Sequence, residues 1–189
     1  MNKLIARIDK LPKWYAICVV LVYGFLMAEY SLTVSRIIPA IETLSSIYQT
    51  VLNINFGLMI VACLIIWLVS SFLFHLTALL FSGQATFNRL LYTSSFAYLI
   101  PIISILASII LIDNIQVPTG DSIVIQQALF NNPMFKLGEQ LINWSFISYY
   151  LIIVIFIHYI YNIRWIYAVF SVVIPALSIW GITELIKLL

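Results

Sequence analysis

The chain has 189 residues, of which 63% are hydrophobic and 8% charged. Water-soluble domains carry about 25% charged residues, because their surfaces must be hydrated, so this composition excludes a mainly water-facing surface and indicates an integral membrane protein. The net charge of +2 comes from scattered cations that form no basic face for nucleic acid.

Residues 1–13 read as a separate element. Leu4, Ile8 and Leu11 share one helical face, and Lys3, Arg7 and Lys10 share another. Such a helix lies in the interface plane with its cations toward anionic headgroups. Pro12 ends it. The first apolar run, Trp14 to about Ile38, is long and lacks a small-x-small cleavage site after it, so it is expected to stay as a span. It contains Glu29, with Arg36 seven residues on and close to the same face. The expectation is an ion pair or a water contact near the outer boundary. The functional alternative is a cation or proton site facing the bundle.

Between Pro39 and Val51, the residues Ile41, Leu44, Ile47, Tyr48 and Val51 recur at helical spacing, which predicts a helix on the outer membrane surface. In the run from Phe56 to Phe81 the single Asp, Glu, Lys, Arg or His is His75. A polar break, Ser82-Gly83-Gln84-Ala85-Thr86-Phe87-Asn88-Arg89, precedes a third run from Leu90 to Ile112 with Pro101 near its middle. A hydrocarbon core about 30 Å thick takes roughly 20 apolar residues as a helix, so this stretch is a transmembrane hairpin. A loop follows from Asp113 to Asn143, with Asn132-Pro133 as a helix-start signal and Met134, Leu137, Leu141 and Trp144 on one face. The last runs are Trp144 to Tyr161, containing His158, and Trp165 to Ile182, containing Pro175, with Arg164 between them.

The prediction is an all-α polytopic membrane protein: a bundle of five transmembrane helices forming one domain over residues 14–189. With a cytoplasmic amino terminus, Lys3, Arg7, Lys10, Lys13, Arg89 and Arg164 lie inside, six of the nine basic residues. Positive charge favours the cytoplasmic side, so the carboxyl terminus falls outside. No soluble domain is expected at either end.

Cys18 and Cys63 sit in apolar runs and read as small fillers. His75 and His158 lie at similar depth near the cytoplasmic ends of their spans, but no carboxylate or cysteine joins them, so no metal site is expected. The glycine-rich phosphate loop and the Gly-x-Ser-x-Gly elbow are absent. An intramembrane enzyme would need His75, His158 and Arg89 or Arg164 to share one pocket. Pro101 and Pro175 each remove a helix hydrogen bond, in rhyming contexts that follow Arg89 and Arg164 at similar distance. That suggests a parallel repeat of two hairpins.

The segment "FSGQATFNRLLYTSSFAYLIP" carries Gly83, Phe87, Arg89, Tyr98 and Pro101. It resembles the Ypt-interacting-protein (Yip) domain family, in which a helix ends at a glycine-containing cytoplasmic turn. An aromatic and a basic residue follow, then a Tyr-x-x-Pro-like element. The likeness covers about Leu73 to Leu111. Relatives often have a second glycine where this chain has Gln84, and eukaryotic relatives have a long cytosolic leader where this chain has 13 residues before its first run. The resemblance thus implies a bacterial-type member, multi-pass in the cytoplasmic (inner) membrane. It implies no catalysis and no cofactor. The partners it implies are lipid and other membrane proteins, in the role of an accessory subunit of an ABC-type exporter or of defence against membrane-active peptides. The alternative is a small transporter or channel with a polar path through Glu29 and kinked helices. In the turn, Gly83 is expected to supply a backbone conformation other residues resist. Phe87 is expected to dip into the interface, and Arg89 to hold a headgroup phosphate or an acidic partner.

Overall fold

The computed structural model describes residues 2–37, 45–116 and 122–187, and among them it is helical with no strand. The elements are α1 (Asn2–Ile8), α2 (Trp14–Ile37), α3 (Ser45–Leu80), α4 (Phe87–Ser95), α5 (Leu99–Asp113), α6 (Ser122–Asn131), α7 (Pro133–Tyr161) and α8 (Trp165–Lys187). Four stretches are long and apolar enough to cross a membrane: Trp14–Ile37, Tyr48–Leu80, Phe87–Asp113 and Pro133–Tyr161. The molecule is thus a helical, multi-pass membrane protein. In a medium without hydrogen-bond partners, helices satisfy their own backbone groups.

Helix boundaries extend past the apolar runs. The segment expected on the outer surface between Pro39 and Val51 is not separate where it is described: residues 45–51 are the first turns of α3, and 38–44 lie outside the described residues. At 36 residues, α3 is about 54 Å long at 1.5 Å per residue. The face of Met134, Leu137, Leu141 and Trp144 is likewise the start of α7. Asn132 caps that helix, its Oδ1 accepting the Met134 amide at 2.8 Å, and Pro133 takes the first helical position. The fifth apolar run falls in α8, which continues through Pro175; its described apolar stretch, Trp165–Ser178, is shorter than the other four.

The third run is two helices. A single 3₁₀ turn, Phe96–Tyr98, joins α4 to α5. Pro101 is the third residue of α5 and has no N–H for the carbonyl of Ala97, so the ladder fails one turn before the proline. Just upstream, Thr93, Ser94 and Ser95 bond back to the carbonyls of Arg89, Leu91 and Tyr92, a pattern that bends helices.

The chain forms two compact units. One comprises Met1–Val19, Ile65–Ala97 and Ser148–Leu189; the other comprises Val20–Leu64 and Tyr98–Ile147. The first unit is centred on buried Phe74, Ala78, Leu90, Ile153, Ile157, Tyr161 and Ala168. Buried hydroxyls tie its helices together. Trp67 Nε1 donates to Ser94 Oγ at 3.1 Å, Ser71 Oγ lies 2.9 Å from the same atom, and Ser94 Oγ donates to the Leu91 carbonyl. One hydroxyl proton and two lone pairs are thereby used in full. Thr77 Oγ1 donates at 2.7 Å to the Ser171 carbonyl, linking α3 to α8.

The second unit packs its helices at small residues. A side chain on Gly24 would lie 3.3 Å from the Ile60 Cα, and Ser108 Oγ donates to the Gly138 carbonyl at 2.9 Å. Small residues allow this close approach. Ile112, Leu129 and Phe135 form a buried cluster with Tyr30, Val34 and Ile37 against it.

Candidate functional site

The polar break after α3 is built from backbone first. The Gly83 amide bonds to the Ala78 carbonyl at 3.1 Å and the Ser82 amide to that of Leu79 at 3.0 Å. This pair of bonds is the Schellman ending, whose last linking residue adopts a left-handed conformation. Ser82 takes that conformation, with φ 63°, and among the described residues no glycine has positive φ. The expected role of Gly83 is therefore corrected. Gly83 is required for space: a Cβ there would lie 2.7 Å from Tyr161 Cδ1 and 2.8 Å from the Ala78 carbonyl oxygen. Tyr161, at the end of α7, covers the glycine, and its hydroxyl is hydrogen-bonded to His75 Nδ1.

Phe87 opens α4. Its ring meets Phe72 edge-on at 5.9 Å and lies 5.6 Å from the ring of His75. It is half-buried against α3. Two residues on, Arg89 finds an acidic partner within its own chain. Its Nη2 lies 2.7 Å from Asp9 Oδ2, and its Nε donates to the same carboxylate at 3.2 Å. Two charge-assisted hydrogen bonds thus converge on one carboxylate oxygen. The pair ties the exit of α1 to the start of α4. Ile5 anchors α1 as a buried side chain, a position the expected face of Leu4, Ile8 and Leu11 omits; Leu11 is exposed beyond the helix end, and the Leu4 side chain lies outside the described residues.

Beside the fork is a cleft of about 400 Å³. Asp9, Lys13, Thr86, Asn88 and Arg89 contribute its polar lining. Lys13 Nζ stands 5.4 Å from the centre of the Tyr92 ring, a cation–π distance. Thr86 begins α4 in extended conformation, and its hydroxyl makes no capping bond.

The remaining sequence candidates lie apart from this cleft's lining. His158 Nδ1 donates to the Ile163 carbonyl at 2.6 Å, and its ring stacks on Trp165 with centres 4.0 Å apart. Arg164 is exposed and starts α8 through its carbonyl, which accepts the Ala168 amide at 3.1 Å. Among the described residues no three His, Cys, Asp or Glu side chains gather as metal ligands. In the second unit, Tyr98 is buried with its ring 4.6 Å from that of Tyr23, and Pro101 is buried. Glu29 sits 3.6 Å from Arg36. A separate hollow of about 370 Å³ is lined by Tyr30, Phe130, Phe135 and Glu139, among others, and not by Glu29.

Sequence reasoning missed Asp9, Lys13 and Tyr161. Asp9 carried a signal, since it is the single acid among the basic residues before Trp14. Tyr161 carried none, because its partners lie about 80 positions away. Comparison of the chain with family models, with curated proteins and with solved structures yields no match.

Proposed function

We propose that this is a non-enzymatic membrane protein that works by binding, through the face formed by residues 8–13 and 83–93. In this reading it crosses a bacterial cytoplasmic membrane five times, amino terminus inside and carboxyl terminus outside, as a Yip-like domain. The partner is another integral membrane protein, such as an ABC-type exporter to which this chain is accessory. The observation that carries the reading is the Arg89–Asp9 fork beside an open polar cleft. It holds a short amphipathic segment against a helix start and leaves Thr86, Asn88 and Lys13 at the surface. Such a mixed polar face, with cations, an acid and neutral polar groups side by side, suits docking.

Extraction of native membranes in mild detergent, with the full chain as bait, tests the proposal. A stoichiometric membrane partner that is lost on Asn88→Trp supports it. Recovery of the chain with lipid alone counts against it. A second reading, a small transporter, is favoured by the hollow at Tyr30 and Glu139. Flux into proteoliposomes that is abolished by Glu139→Gln and retained by Glu29→Gln supports that reading and moves the polar path away from Glu29.

A further inference from the structure

The fork between Arg89 and Asp9 has the geometry of an anion site whose anion is supplied by the chain itself. The carboxylate accepts from Nη2 at 2.7 Å and from Nε at 3.2 Å, both at Oδ2, with Oδ1 3.4 Å from Nε; a guanidinium presents the same two donors to phosphate oxygens. The fork is exposed enough to exchange: the two side chains keep 43% and 33% of their surface in the open. The cleft beside it adds Lys13, so its lining holds two cations and one acid. Arg7 and Lys10 are exposed on the same short segment. Asn88 and Thr86 add neutral polar groups, and Thr86 leaves the start of α4 uncapped, where the helix dipole favours negative charge. Ile8 and Leu11 give the cleft an apolar wall. A volume of about 400 Å³ falls within the range of small-molecule sites.

We propose that this cleft binds a phosphate-bearing anion. Arg89 and Lys13 hold the phosphate oxygens, Asn88 and Thr86 line the rest of the polar headgroup, and Ile8 and Leu11 lie against its alkyl part. Asp9 is the resident competitor: it keeps Arg89 in place when the site is empty and yields it to the phosphate. The phosphate comes from a lipid headgroup or from a soluble phosphate. This deepens the contact-face reading and rests on it for placing the cleft at the cytoplasmic leaflet. The binding measurement below needs no protein partner, so its failure and failure to recover a partner are separate results.

The full chain, purified in a neutral detergent, is titrated by calorimetry with dihexanoyl phosphatidylglycerol and with inorganic phosphate. Saturable binding of at least one is expected. Lys13→Gln and Arg89→Gln each weaken it about tenfold, the size of one lost hydrogen bond to a charged group, and Asp9→Asn strengthens it. Tighter binding of the lipid than of inorganic phosphate identifies the headgroup as the source; tighter binding of inorganic phosphate, or binding of phosphate alone, identifies a soluble one. The opposite sign for Asp9→Asn separates a ligand site from a structural ion pair, whose loss from either side has the same effect. Lys13→Gln disturbs a cation–π contact rather than the fork, so the test stays readable if Arg89→Gln fails to fold. No saturable binding, binding indifferent to Lys13→Gln, or binding weakened by Asp9→Asn overturns the proposal.

Discussion

The turns that follow α3 and α7 end their helices in the same way and are used differently. Each helix stops at a non-glycine residue in the left-handed region, Ser82 at φ 63° and Asn162 at φ 54°. After α7 the chain is closed at once: His158 bonds the Ile163 carbonyl and stacks on Trp165, and two residues separate Asn162 from α8. After α3 the turn runs on to Thr86 and leaves a polar face and a cleft. The two turns also touch, since Gly83 lies under Tyr161 and the Gln84 amide meets the Tyr161 carbonyl at 3.5 Å. The closed turn is thus a floor for the open one. A surface kept open for binding is held in shape by a neighbour that is not.

The contact at Gly83 is where this relation breaks most easily. Gly83→Ala puts a methyl group 2.7 Å from one ring carbon of Tyr161 and 2.8 Å from a backbone oxygen. A backbone oxygen at a helix end does not swing aside as a side chain does. Overpacking of this kind costs about 1–3 kcal/mol, and the upper part of that range is expected. Thermal unfolding in detergent should show it as the largest loss among the substitutions named here. A loss no larger than for a surface alanine would mean that Tyr161 does not support the turn.

Next in size is the hydroxyl cluster beneath the open turn. Ser94→Ala leaves the Trp67 indole N–H and the Ser71 hydroxyl without their shared acceptor. A buried group left unpaired costs about 1–3 kcal/mol, and the lower half is expected because a serine within a helix can turn its hydroxyl to the carbonyl one turn back. Ser94→Cys, which keeps a weak acceptor of similar size, should recover part of it. Equal losses for both variants would show that packing, not hydrogen bonding, is what Ser94 contributes.

This cluster marks where reading the sequence stopped. Apolar runs located α2, the α3–α4 hairpin and α7, because hydrocarbon imposes a minimum length that soluble packing does not. They misplaced helix ends, since backbone hydrogen bonding carries α3 and α7 on past the apolar residues. Pro101 foretold a break, and it falls one turn earlier, where the missing N–H leaves Ala97 unmatched. In the turn, Gly83 and Arg89 were legible as special residues but their reasons were not. Glycine suggests a torsion angle from sequence, while here its neighbour is a ring about 80 positions away. Arg89 suggests an external anion, while Asp9 stands in the same chain. Pairings across that separation have no periodic signal.

The two left-handed residues sharpen the comparison at a smaller scale. A side chain in this region costs roughly 1–2 kcal/mol, and glycine removes that cost while losing about 0.5–1 kcal/mol to the freedom of the unfolded chain. Ser82→Gly should therefore stabilise the protein by about 0.5–1 kcal/mol. Asparagine already tolerates this conformation, so Asn162→Gly should change little. Matched melting curves decide it, and equal gains at both positions would remove the difference argued between the turns.

The smallest effect concerns the fork itself. Arg89 and Asp9 meet in good geometry but both remain partly exposed, and exposed pairs contribute about 0–1 kcal/mol, less as salt rises. Asp9→Asn should accordingly lower the melting temperature slightly at low ionic strength and not measurably at high. A small cost is what the open turn requires, because an acid that held Arg89 tightly would close the cleft as firmly as His158 and Trp165 close the other turn. A loss of several kcal/mol that persists in high salt would instead make the fork a structural tie. Both turns would then be closed, and the contrast between them would be one of residue choice alone.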